Sequence, residues 1–247
     1  VTPLAVVFID ETNGAATSSG QTLTPKALAA IAEAVQLQAN QHVAPEFGGV
    51  VGIRVGTSST DVRTGETVCA FVPSLPNEPG ASAYHDQDGK GVPAIYVAVT
   101  TCATVLGEGS SVSVDVSHEI AETLGDPGCN QLADDGAGTL HARELCDAVE
   151  TQTYPYVCAD GTIVWLSNFL LPGWFVPGSP GPYDYMTMMG LAGAVAPPGP
   201  MQTAPGNGGN YQITAPFSSS GETQVTGTRR KGAAHWTSRA ARRGVTR

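Results

Sequence analysis

Two stretches of this chain, TPKALAAIAEAVQLQANQHV (24–43) and SSVSVDVSHEIAETLG (110–125), carry apolar residues at helical spacing and stand among short strand-like runs. That mixture restricts the chain to folds in which helices cover a sheet. The first stretch opens with Thr24 as an N-cap and Pro25 at the first helical position, then sets Leu28, Ile31, Ala32, Val35 and Leu37 along one side. The second becomes helical from about Ser113 and stops at Gly125, with Pro127 preventing continuation. LAVVFID (4–10), GGVVGIRVG (48–56), ETVCAFVP (66–73) and PAIYVAVTT (93–101) read as strands, rich in β-branched and aromatic residues. YHDQDGKG (84–91), which holds Tyr84, His85 and Asp86, reads as a solvated turn before the last of these strands, with the alternative that these three residues border the cleft.

Beyond residue 125 the pattern changes. With Gly 30 and Pro 18 in the chain, loops dominate, and YVCADGTIVWLSNFL is expected to form a hairpin turning at Asp160-Gly161. Residues 191–210, rich in Pro, Gly and Ala, read as an extended arm leading to a last strand, NYQITAPF. The expected class is α+β: a mixed sheet, two main helices and a loop-rich C-terminal half. The expected division is a domain over 1–190, an arm with a terminal strand over 191–228, and a tail over 229–247.

Charge separates the tail from the rest. Residues 1–228 hold all 22 acids against five basic residues, whereas Arg229, Arg230, Lys231, Arg239, Arg242, Arg243 and Arg247 follow the last acid, Glu222. An acidic body repels nucleic acid and attracts cations; a basic tail suits an acidic partner surface, a neighbouring copy's body, or a nucleic-acid backbone. The five cysteines lack Cys-x-x-Cys spacing, which leaves at most one pair among Cys129, Cys146 and Cys158. The first apolar run is too short, and lacks the basic residues, for a signal peptide, and no stretch is long enough to span a membrane.

The chemistry concentrates in SHEIAETLGDP (117–127). His118 and Glu119 begin the His-Glu-x-x-His pattern of zinc-binding helices, but Glu122 stands at the second histidine position. Helical spacing puts His118, Glu122 and Asp126 on successive turns of one face, while Val114, Ile120 and Leu124 pack elsewhere. In such a site His118 and Glu122 are metal ligands and Glu119 is the general base toward a metal-bound water. A carboxylate in place of an imidazole makes the site more negative, weakens the metal as a Lewis acid, and widens the choice from Zn²⁺ to Ca²⁺ or another divalent cation. The third ligand can come from Asp126, or from His141, Glu144, Asp147 or Glu150 in the acid-rich segment around RELCDAVE; Asp126 and Asp147 are favoured. The other reading is structural, with Glu122 and Asp126 anchoring irregular loops. No P-loop, nucleophile elbow or dinucleotide fingerprint is present.

The order of strands and helices, with an expected edge strand just before the His-Glu helix, resembles the catalytic half of zincin metallopeptidases. Gly125, seven residues after His118, and YDYMTMMG, with Met186 at a turn, are similar to the metzincin branch, although Gly128 occupies the position of that pattern's third ligand. The motif set SHEIAETLGDP, ELCDAVE, VWLSNFLLPGWF and GPYDYM resembles a group of phage, prophage and bacterial proteins. The resemblance implies one of two functions. The first is a virion-associated structural protein, a capsid or tail component assembled in the host cytoplasm, built on a zincin-like scaffold with a remodelled metal site. Its basic tail would attach it to other virion proteins or to copies of itself. The second is an active zinc metalloendopeptidase using Glu119, in which the glutamate at 122 is the feature that opposes catalysis.

Overall fold

The computed structural model describes residues 4–75, 81–88, 91–129, 131–134, 139–196, 201–205, 210–218 and 221–228. In chain order the elements begin with β1 (Leu4–Asp10), α1 (Pro25–Gln38), the one-turn α2 (Ala44–Phe47), β2 (Val51–Val55), β3 (Thr67–Val72), β4 (Ala83–Gln87), β5 (Pro93–Ala98) and α3 (Val112–Gly125). They continue with β6 (Leu132–Asp134), β7 (Thr139–Ala142), β8 (Thr153–Val157), β9 (Ile163–Ser167), β10 (Met201–Pro205), β11 (Asn210–Ser218) and β12 (Gly221–Thr228). The chain packs as two compact units, one formed by residues 1–124 with 153–167 and the other by 125–152 with 168–247. The mixture of helices with a five-stranded mixed sheet agrees with the class expected from sequence.

In the first unit the sheet runs β2-β1-β3-β5-β4. The first four strands are mutually parallel and β4 is antiparallel to β5. Val6, Val7, Phe8 and Ile9 of β1 are all buried, as a continuous apolar run must be when both faces of a largely parallel sheet are covered. Thr24 caps α1 by accepting a hydrogen bond from the Ala27 amide at 3.1 Å, and Leu28, Ile31 and Val35 turn inward. The helix ends differently from its apolar pattern. Gln38 rather than Leu37 is buried, and its amide donates to Tyr154 Oη at 3.0 Å and the Ser167 carbonyl at 2.8 Å, fixing α1 to the β8–β9 hairpin. A π-helical turn, Ala39–Val43, follows directly.

The segment expected to be a solvated turn is instead strand β4. Ala83–Gln87 pairs with β5 in the register Tyr84↔Tyr96 and His85↔Ile95, and His85 and Asp86 are buried. The local residues argue against a strand, but pairing with β5 and stacking of Tyr84 on Tyr96, with ring centroids 5.2 Å apart, override that weak preference. The same pairing corrects the expected edge. β5, the last strand before α3, lies inside the sheet, and β4 forms its edge.

The hairpin forms as its sequence predicts, with Val157 opposite Ile163 and Gly161 at φ 83° in the turn. It is fixed to α3 through Ser117, whose Oγ accepts from the Ser167 amide at 2.8 Å and donates to the Val114 carbonyl at 2.8 Å. Val112, Val116 and Ile120 of α3 join the core built on Phe8, Phe71 and Ile95.

In the second unit a five-stranded sheet runs β12-β11-β10-β7-β6, every adjacent pair antiparallel. NYQITAPF lies in strand β11, but it is not the last strand, because β12 follows and pairs with it, and β10 falls within the expected arm; the basic tail, 229–247, lies outside the described residues. Gly125, the last residue of α3, serves close packing: a Cβ there would lie 2.6 Å from Leu145 Cγ, and its φ is not in the left-handed region. The YDYMTMMG turn is held by buried Asp184, which accepts from Asn168 Nδ2 at 2.7 Å and from the Met189 amide at 2.7 Å. All five cysteines are buried and none is in a disulfide, so no pair forms among Cys129, Cys146 and Cys158. Among the described residues, no helix is long and apolar enough to cross a membrane.

Candidate metal centre

Within the first unit, α3 and the edge strand β4 bring four polar side chains together. A strand alternates its side chains between faces, so with Tyr84 stacked on Tyr96, His85 is directed to the opposite face, toward α3. His85 Nδ1 lies 3.0 Å from Glu119 Oε2 and 3.4 Å from Glu122 Oε2. Glu122 is engaged from its other oxygen as well: His118 Nε2 lies 3.1 Å from Glu122 Oε1, one helical turn away. His85 and Glu122 are fully buried, Glu119 is 3% exposed, and only the His118 side chain, at 13%, reaches toward solvent.

His118, Glu119 and Glu122 are brought together on α3, with Glu122 at the centre of the contacts. Asp126 and Asp147 belong to the second unit, and both are buried there. Asp126 lies one residue past the end of α3, where its Oδ2 accepts from the Gln131 amide at 2.7 Å and its carbonyl from the Cys129 amide at 3.0 Å. These bonds match the loop-anchoring role. Asp147 opens a 3₁₀ turn, Asp147–Val149. Of the other acids and histidines around RELCDAVE, Glu144 is buried and His141 meets the edge of Trp174 with ring centroids 6.0 Å apart.

His85 is the residue that sequence reasoning placed wrongly. Nothing local marks AYHDQ as a strand, and the only usable signal was its proximity to the apolar PAIYVA run with which it pairs.

Electrostatics explain how two carboxylates coexist in so buried a place. Burial alone would raise the Glu122 carboxyl, but the charge and hydrogen bond of His118, joined by those of His85, hold it well below the usual carboxylate range. Its anionic form thus depends on positive charge beside it. Asp115, one turn before Glu119 on α3, behaves oppositely: burial pushes its carboxyl up to about 6, against an opposing hydrogen bond from Cys102 Sγ at 3.1 Å. With a folded-state value above the unfolded one, the native chain holds this proton more tightly, so the stability that Asp115 contributes is lost as pH rises from about 4 to 6. Thermal melts of the metal-free protein and of Asp115→Asn across that window should differ in slope, with the variant lacking this loss.

His85, Glu119 and Glu122 each offer a donor atom, all within 4.8 Å of one another, so this buried group can hold a metal ion. One imidazole nitrogen and two carboxylate oxygens suit a divalent cation, and the donor set does not single out one metal. No protein-family model matches the chain, and no curated protein or solved structure is significantly similar to it.

Proposed function

We propose that this chain is a structural protein of a phage-type particle, a capsid or tail component built on a zincin-like scaffold whose metal centre has been remodelled away from hydrolysis. The observation that carries this reading is the environment of Glu119. A general base must reach the water it deprotonates, whereas the Glu119 carboxylate is 3% exposed and lies 3.0 Å from His85 Nδ1. A glutamate at position 122 also delivers negative charge to any bound cation and makes its water less acidic. Two sequence features support the particle role. One is the motif set resembling phage and prophage proteins. The other is an acidic body carrying a tail of seven basic residues, a charge division that steers attachment to acidic neighbours or to further copies of the same chain.

The second reading, a zinc metalloendopeptidase with His118 and Glu122 as ligands and Glu119 as base, has one observation in its favour. β4 is an edge strand and carries His85 beside the His-Glu helix, and extended peptides dock on sheet edges by adding a strand. The assay that separates the two readings is turnover of a broad peptide library by zinc-loaded full-length protein, compared with Glu119→Gln. The structural reading predicts the same negligible cleavage from both. Cleavage by the wild type that Glu119→Gln abolishes would replace it with the peptidase reading.

A further inference from the structure

The remodelling proposed above can be made specific, and the inference rests on that reading. The geometry points to a divalent-cation site formed by His85 Nδ1, Glu119 and Glu122, with His118 outside it as a positioning residue for Glu122. This reverses the roles that the His-Glu-x-x-Glu pattern suggests. The motif histidine is not a ligand, the expected base is one, and the imidazole ligand comes from strand β4.

Three observations lead there. The first is spacing: an ion with bonds of about 2.0–2.1 Å in tetrahedral geometry sets its ligand atoms about 3.3 Å apart. His85 Nδ1 stands 3.0 Å from Glu119 Oε2 and 3.4 Å from Glu122 Oε2. The second is placement: all three ligands lie in one compact unit, on two elements tied to a common sheet and core. His118 Nε2 meets Glu122 at Oε1, the oxygen not directed at His85. That is the position from which an outer residue orients a ligating carboxylate.

The third is charge. Hydrogen bonding alone also permits separations of 3.0 and 3.4 Å. Two carboxylates buried to 3% and 0% nevertheless converge on one imidazole nitrogen, and buried carboxylates are paired or coordinate metals. A divalent ion placed there meets both carboxylates at once. A single nitrogen with two oxygens selects a first-row ion such as Zn²⁺, Co²⁺ or Mn²⁺ over Ca²⁺, which takes six to eight oxygen ligands.

The test is Zn²⁺ titration by calorimetry on the full chain and four variants, with circular dichroism to establish that each is folded. The wild type should bind one equivalent. His85→Ala and Glu119→Gln should bind at least 100-fold more weakly, whereas His118→Ala should lose only about tenfold, the scale of an outer-shell residue. Should His85→Ala fail to fold, His85→Asn keeps a donor toward both carboxylates and should still lose at least 100-fold. Full affinity in a folded His85 variant, or loss of binding in His118→Ala with retention in His85→Asn, overturns this ligand set while leaving a metal centre in place. No Zn²⁺ binding by the wild type removes both the ligand set and the metal centre of the proposed function.

Discussion

Glu122→Ala is expected to abolish divalent-cation binding and to destabilise the metal-free protein by about 3–5 kcal/mol, the usual cost of removing one partner from a buried charged group. Glu122 is fully buried and meets both histidines, Oε1 toward His118 at 3.1 Å and Oε2 toward His85 at 3.4 Å. Its loss removes a carboxylate that both imidazoles meet, and leaves a cavity between them. Urea unfolding in the presence of a chelator reads the stability term, and zinc titration of the folded variant reads the binding term. An isosteric Glu122→Gln should recover part of the stability, because an amide oxygen still accepts a hydrogen bond, but not the affinity, because the ligand charge is gone. A Glu122→Ala protein as stable as the wild type would show that the cluster contributes little to holding α3 against β4.

Phe71→Ala should cost a similar amount, about 3–5 kcal/mol, by a different mechanism: lost apolar burial plus the cavity left behind. Phe71 lies on β3, is fully buried, and meets Phe8 of β1 edge-on with ring centroids 5.3 Å apart. It belongs to the same apolar core as Ile95 of β5 and Ile120 of α3. Those neighbours tie the core to the site, because Ile95 pairs with His85 and Ile120 sits between Glu119 and Glu122 on the helix. The loss should appear as a lower denaturation midpoint with an unchanged denaturant slope. Zinc at saturating concentration should still bind the folded fraction in one-to-one ratio, whereas Glu122→Ala should not bind it at any practical concentration. Together the two variants separate the apolar framework from the polar centre.

Much of this framework was legible in the residues themselves. Thr24-Pro25 and the apolar spacing after them define the start of α1, and VSVDVSHEIAETLG reads as the helix it forms because its apolar positions recur at helical intervals. LAVVFID, ETVCAFVP and PAIYVAVTT contain strands for the corresponding reason, being runs of residues that suit a buried pleated surface. What could not be read locally were features set by partners distant in sequence. β4 exists because β5 offers it a ladder, and Gln38 turns inward because Tyr154 and Ser167 meet it. The same limit applied to the site. His118, Glu119 and Glu122 were visible because a helix fixes their spacing, but His85 arrives from 34 residues away, and only the fold brings it to Glu119. Asp126 seemed to continue the helical face, yet α3 ends at Gly125 and the carboxylate bonds the turn that follows.

The most direct measurement is anomalous diffraction from zinc-loaded crystals of the full-length protein, collected on both sides of the zinc absorption edge. A single anomalous peak within bonding distance of His85 Nδ1, Glu119 and Glu122 is expected, with His118 contacting Glu122 rather than the ion. A peak bonded to His118 and remote from His85, or no peak at the cluster at full zinc loading, would contradict it.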